Sequence, residues 1–435
     1  MKKIVCISFV VFFLSCKISG VSAQDGVKFD ILLKGGHIID PANNINSVMD
    51  VAVARGRIAL VDKNIPADAS NKVVDVSGYY VTPGFVDIHT HVFHTFDLPG
   101  RWIIADHHSF LSGVTTVVDA GTSGADNFED FKNIIDGSRT RILAFLNIAA
   151  TGKNEGQDDP SKFSVQHAVE TAKRYPDIIV GFKSCDYWYE KPFDEAHPPW
   201  ASVDSVLAAG RKAGLPVMIS FSTRQRQKDY PERSYHEFIQ KKLRPGDIHT
   251  CLFSPYIPVI REDGKLNPDI IEAQKRGVIF DGAHGAGSFL YRNAVSAFKQ
   301  GFVPNTISTD LHGAGRTTTA ISMLHVMSNY LAMGIPLEDV IKCSTINPAR
   351  AINHPELGSL STGSTADIAV IEVINGNISY LDTGGGKIKG NKELRSIMTI
   401  FGGKIVFDPY GISFPEWETI PKDSDYWVNP SGQNW

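Results

Sequence analysis

The residues most able to do chemistry gather first in "GFVDIHTHVF", residues 84–93, where His89 and His91 end an apolar run. In an extended chain two residues one apart share a side, roughly 6–7 Å from each other along the strand. Two imidazoles so placed can bend toward one metal ion. Similar residues close other apolar runs farther along: Lys183 after "IIVGF", Cys251 with His249 in "GDIHTCLF", His284 in "VIFDGAHG", and Asp310 with His312 in "TISTDLHG". Each has an ordinary reading. Histidine pairs occur on strands as plain hydrogen-bonded residues, and Lys183 could be a rim lysine with its head in water. Asp310 could cap the helix that follows it, and Cys251 could be a small buried packing residue. Their shared place, at the ends of successive apolar runs, is what favours chemistry.

The elements that must position them form a regular series. From residue 84 to about 333, eight β-type runs alternate with amphipathic helical stretches such as "NFEDFKNIID", "SVQHAVETAKRY", "SVDSVLAAGRKA" and "PDIIEAQKRG". Eight strand–helix units over about 250 residues predict an α/β fold, a TIM (β/α)8 barrel, whose catalytic groups sit at the C-terminal ends of its strands. Residues 29–82 and those beyond about 355 read instead as short strands and turns. We therefore expect a barrel over 83–354, and a small β domain formed by the N- and C-terminal segments, 24–82 plus 355–435.

The 435 residues suffice for one large core and a satellite. Net charge is −4 with no basic block, which argues against nucleic acid or a membrane surface as partner. The start, "MKKIVCISFVVFFLSCKISGVSAQ", has a basic head, an apolar run and a small-residue exit. That predicts a signal peptide, residues 1–23, and export to the periplasm or beyond. The alternative is a lipoprotein anchored through Cys16. The apolar run is too short to span a bilayer, and no later stretch is long enough. Cys6 and Cys16 fall in this leader, which leaves Cys185, Cys251 and Cys343, an odd and widely spaced trio rather than a disulfide framework.

The ordered set "VTPGFVDIHTHVF", "IIVGFKSCD", "LRPGDIHTCLFS", "GVIFDGAHGAGSF" and "ISTDLHG", followed by "STINPARAI" and "LGSLSTGSTADIAVI", resembles the amidohydrolase superfamily, in particular its dihydroorotase-like amidohydrolase/deacetylase branch. The likeness runs from about residue 30 to about 408. It implies that His89 and His91 bind the more buried of two metals, that Lys183 takes up carbon dioxide to become a bridging carbamate, and that Asp310 is both ligand and proton acceptor. It places His284 near the substrate, with His312 and Ser220 as further candidates there. Two positions depart from the pattern. The fifth strand, "GLPVMI", ends in Ser220 where a histidine or aspartate is usual, and the sixth carries Cys251 in place of histidine, with His249 two residues earlier. Serine is a poor metal ligand and a thiolate a good one for zinc. The expectation is thus one tight Zn2+ held by His89, His91, Lys183 and Asp310, and a weak or absent second ion left to the Lys183 carbamate, Cys251 and His249.

Water held by such an ion has its pKa lowered from about 15.7 toward 7, which makes a nucleophile available at neutral pH. The reaction implied is hydrolysis of an amide or ester bond in a small acylated substrate. Two alternatives stand beside it: a deaminase on the same scaffold, and a catalytically impaired binding protein, to which Ser220 and Cys251 would testify.

Overall fold

The computed structural model describes residues 28–95, 100–188, 192–220, 232–317 and 319–421. The expected leader, with Cys16, lies outside these residues, as does the chain beyond 421. The chain opens with five strands: β1 (Phe29–Asp40), β2 (Ile45–Ala54), β3 (Arg57–Asp62), β4 (Ser70–Asp75) and β5 (Tyr80–Pro83). Strands β6 (Phe85–Thr90), β7 (Val114–Ala120), β8 (Arg141–Asn147), β9 (Ile179–Lys183), β10 (Val217–Ile219), β11 (Ile248–His249) and β12 (Ile279–Phe280) follow, and β13 (Ile368–Leu381), β14 (Lys387–Phe401) and β15 (Lys404–Phe407) close the series. Strands β6 to β12 form one parallel sheet in strict sequence order, the pattern that helical crossovers impose. The crossovers include α1 (Phe128–Gly137), α2 (Val165–Arg174) and α3 (Ala201–Ala213). Each of these matches an amphipathic stretch of the sequence, and α2 is capped by Ser164, whose side chain accepts from the His167 amide.

The eighth run, "TISTDLHG", is not a continuous strand. Two parallel bridges hold it, Asp281 with Thr306 on one side and Thr90 with Leu311 on the other. Asp310 N donates to His89 O at 2.7 Å, and Gly282 N donates to Thr306 O at 2.9 Å. The run thereby joins β12 back to β6 and closes the TIM barrel. Its ladder is interrupted because Thr306 and Ser308 spend their hydroxyls on Asp281, and Thr309 spends both its amide and its hydroxyl on Asp87.

The remaining strands make a separate sheet, ordered β15-β14-β13-β5-β1-β2-β3 with β4 on β1. Both ends of the chain contribute to it, and its own apolar layer includes Leu33, Val51, Val74, Ile368 and Ile400. Strand β5 runs into β6 across Gly84, so the sheet holds the base of the first barrel strand. Arg141 of β8 pairs with the buried Asp367, a second tie between the two parts.

Candidate metal centre

His89, near the end of β6, and His91, one residue past it, have ring centroids 5.6 Å apart. Both Nε2 atoms face the same oxygen, Asp310 Oδ1, at 3.4 Å from His89 and 3.2 Å from His91. Cys251 joins them: donor atoms of His89, Cys251 and Asp310 lie within 4.8 Å of one another, all buried. Asp310 and Cys251 both stand in the left-handed region, with φ of 48° and 54°. Aspartate tolerates that region, but for cysteine it is uncommon and costly. Strain of this kind persists where surrounding structure over-determines the residue.

Two glycines make room for the site. Gly285 has φ +54°, and a Cβ there would lie 2.3 Å from Asp310 Oδ2. Gly121, at φ +82°, would place a Cβ 2.8 Å from both Cβ and Cγ of Lys183. Lys183 ends β9 and is 4% exposed, with Nζ donating to the Ser184 carbonyl at 3.1 Å. Burial lowers its pKa, which favours the neutral amine.

His89, His91, Lys183, Cys251 and Asp310 line a cavity of about 650 Å³, together with Ser220 and His312. Burial alone would raise the Asp310 carboxyl; positive charge at His89 and His91, or a cation in its place, is what pulls it well below the usual carboxylate range. Burial pushes His91 down to about 3, so its ring is neutral at ordinary pH. Burial also pushes the Cys251 thiol up to about 12, although hydroxyls of Ser288 and Ser220 bond it. Two imidazole nitrogens, a carboxylate and a thiol aimed at one another out of water form a donor set that fits zinc. Without a cation among them, the buried carboxylate would carry its charge at high cost.

Two expected site residues are elsewhere. His249 is fully buried against Tyr235, Phe238 and Phe280, with ring centroids 5.9, 5.8 and 6.0 Å away. The alternation that would have put it beside Cys251 fails because β11 stops at His249 and Cys251 turns left-handed. Thr250 approaches His89 instead, at 2.7 Å. His284 stacks on Phe289 at 3.9 Å and bonds Asn329 through Nε2, and it does not line the cavity. His312 does line it, with its ring 6.1 Å from that of His91.

A profile of the amidohydrolase family matches residues 283–406. A protein of Brucella anthropi named a deacetylase is 28% identical over 376 residues, covering 83% of this chain and 88% of its own. Another so named, from Agrobacterium fabrum, is 29% identical over 344 residues, 76% of this chain and 79% of its own. Among solved structures, a dihydroorotase superposes with a TM-score of 0.72 at 25% identity, over 87% of this chain and 99% of its own. An adenine deaminase gives 0.77 at 23% identity, over 88% and 100%. The chain thus carries an amidohydrolase-family segment, and its relatives and structural neighbours over most of its length lie in the amidohydrolase superfamily. In this chain the metal-type donors come from β6 and the residue just past it, the segment after β11 and the closing eighth run.

Strand-end reasoning missed two residues of the cavity wall. Lys153 Nζ is 3.4 Å from His91 Nε2 and 3.3 Å from Asp186 Oδ2. Asp186 would be raised by burial, but Lys153 and Lys183 hold it well below its ordinary value. In turn the Asp186 charge raises the pKa of Lys153 against the effect of burial, so that amine stays an ammonium. Asp186 was legible, three residues past Lys183 in "KSCD". Lys153 sits in the loop "TGKN", and no apolar run points to it.

Proposed function

We propose that this amidohydrolase removes an acyl group from a small N-acylated or O-acylated substrate, as a zinc-dependent deacetylase. The observation that carries this is the convergence of His89, His91, Cys251 and Asp310 in the wall of a substrate-sized cavity. The deacetylase names of relatives that span most of the chain support the acyl class. His89, His91, Asp310 and Cys251 would hold the ion, and Lys183 would join them as a carbamate. When bound, zinc supplies a Lewis acid that polarises an acyl carbonyl and lowers the pKa of water.

The chain's own residues supply the rest. The Asp310 carboxylate, ionised and at the ion-binding locus, takes the proton of the attacking water and returns it to the leaving nitrogen or oxygen. Lys183 as a neutral amine can add to carbon dioxide, forming an N–C bond and releasing one proton. Lys153, an ammonium fixed by Asp186, holds positive charge on the side of His91. With His249 turned away and Ser220 offering only a hydroxyl, we propose one ion per chain. The leader of basic, apolar and small residues supports export as the place of action.

Metal content per chain, measured with activity on a panel of N-acetylated amino acids and O-acetylated hydroxy acids, tests this reading. Activity that falls on chelation and returns with zinc is the expected result. Bound zinc without turnover of any acyl compound would favour a binding protein, and release of ammonia would favour a deaminase. Retained 13C from labelled bicarbonate in the carbamate region, lost in Lys183→Ala, is expected if Lys183 is carboxylated.

A further inference from the structure

The groups behind the two imidazoles repeat one arrangement. His89 Nδ1 lies 2.7 Å from the Thr250 hydroxyl, which donates to Asp281 Oδ2 at 2.7 Å. His91 Nδ1 lies 2.8 Å from the Thr122 hydroxyl, which bonds Asp119. Asp281 and Asp119 are both fully buried. The two chains of contacts share no sequence motif, since Thr250 is 161 residues from its histidine and Thr122 is 31 from its own. Nor does Asp281 reach its ring itself: Asp281 Oδ2 is 3.9 Å from His89 Nδ1, beyond a hydrogen bond.

Counting protons gives the direction of each bond. A threonine hydroxyl has one proton to donate, and a carboxylate only accepts. Asp281 already accepts from Thr306 at 2.8 Å and Ser308 at 2.7 Å, so the Thr250 proton also goes to it. The bond to His89 must then run from Nδ1–H to the hydroxyl oxygen. Asp119 likewise accepts from the amides of Thr122, Val92 and Phe93 at 2.6, 2.8 and 3.2 Å. Its bond from Thr122 leaves that hydroxyl to accept from His91 Nδ1–H. Each ring therefore keeps its proton on Nδ1 and turns an unprotonated Nε2 toward Asp310. Lys153 agrees with this, because an ammonium 3.4 Å from His91 Nε2 can only donate to it.

We propose that Thr250 with Asp281, and Thr122 with Asp119, are positioning residues that fix His89 and His91 as metal ligands through Nε2 and thereby set the affinity of the centre. The proposal rests on the metal-centre reading above. A ring with its proton on Nε2 has no lone pair there, so without the hydroxyls part of the population must change tautomer before it can bind. The threonine also passes on the pull of a buried carboxylate, which makes the ligand nitrogen more basic.

Zinc binding to the metal-free, otherwise intact protein, by competition with a chromophoric chelator, tests this without a substrate. Thr250→Val and Thr122→Val keep shape and lose the hydroxyl, and each is expected to weaken zinc about 10–100-fold. Thr250→Ser and Thr122→Ser restore the hydroxyl and are expected to hold zinc close to the parent value. A valine variant that unfolds like the parent and binds zinc with parent affinity overturns the proposal. If the valine variants do not fold, Asp281→Asn replaces them: its amide can donate back to Thr250, and weaker zinc is expected, with parent affinity overturning the role. His89→Ala separates the two layers of argument. Parent affinity there means that the metal-centre reading has failed; zinc lost there but kept in Thr250→Val and Thr122→Val removes only the positioning role.

Discussion

Cys251 is the residue whose meaning the fold changes most. From sequence it belongs to an outer ion, and its loss should spare the inner one; in the structure its sulfur converges with His89 and Asp310. We therefore predict that Cys251→Ala weakens the single ion itself, read as a higher zinc dissociation constant. A thiol pushed up to about 12 must give up its proton on binding zinc. The sign follows: below that pKa the proton competes with the metal, so affinity rises with pH through the neutral range and zinc uptake releases protons. Cys251→Ala should flatten that dependence, as potentiometric titration would reveal. For Asp310 the useful change is Asp310→Asn, because asparagine tolerates φ of 48° as well as aspartate does. A rate loss of roughly 10²–10⁴ is expected for a lost general base. A merely capping Asp310 would show almost none. At this scale the sequence was partly legible. Residue type at the end of an apolar run identified His89, His91, Lys183 and Asp310, but not side-chain direction once the backbone left regular strand geometry, as it does at Cys251. Lys153 carried no local signal at all, because only the folded loop brings it to His91.

Among the elements, the short barrel strands matter for where they stop. The β-type runs predict whole strands, whereas β11 and β12 have two residues each. Hydrogen bonding explains the difference. Thr250, Ser308, Thr306 and Thr309 direct their hydroxyls to Asp281 and Asp87, and the segments bend to follow. Propensity could register the β-rich run but not this exchange of ladder bonds for side-chain bonds. The loop after β12 shows how closely such bends are fitted. Gly285→Ala meets two obstacles, a left-handed φ and an Asp310 oxygen 2.3 Å from the new methyl. The backbone term costs about 1–2 kcal/mol, and the contact must push Asp310 off its place. Lower thermal stability together with weaker zinc is the expected pair of results. A variant that loses stability alone would show that Asp310 has room to move.

For the whole molecule, the TIM barrel and its satellite sheet were both legible, since an alternating series of strand and helix patterns flanked by β-rich ends leaves few other arrangements. Their fastening was not, because Arg141 and Asp367 lie far apart in sequence and look like ordinary surface charges there. Asp367 is buried, accepts the Gly402 amide at 2.9 Å and pairs with Arg141, which stacks on Phe401. Asp367→Ala should cost about 3 kcal/mol, the lower end for breaking a buried pair. A denaturation midpoint unmoved by that change would mean that sheet and barrel are fastened elsewhere. The order of that sheet has a further consequence, which concerns time rather than energy. Strand β13 pairs with β5, a strand made nearly three hundred residues earlier. Until the last sixth or so of the chain is available, Tyr80–Pro83 has an open flank beside β1, at the point where β6 leaves for the barrel. Open flanks of this kind recruit strands from other molecules. A chain stopped after Thr365 should therefore gather into soluble oligomers or aggregates although every barrel strand is present, and supplying residues 366–421 as a separate polypeptide during refolding should suppress this.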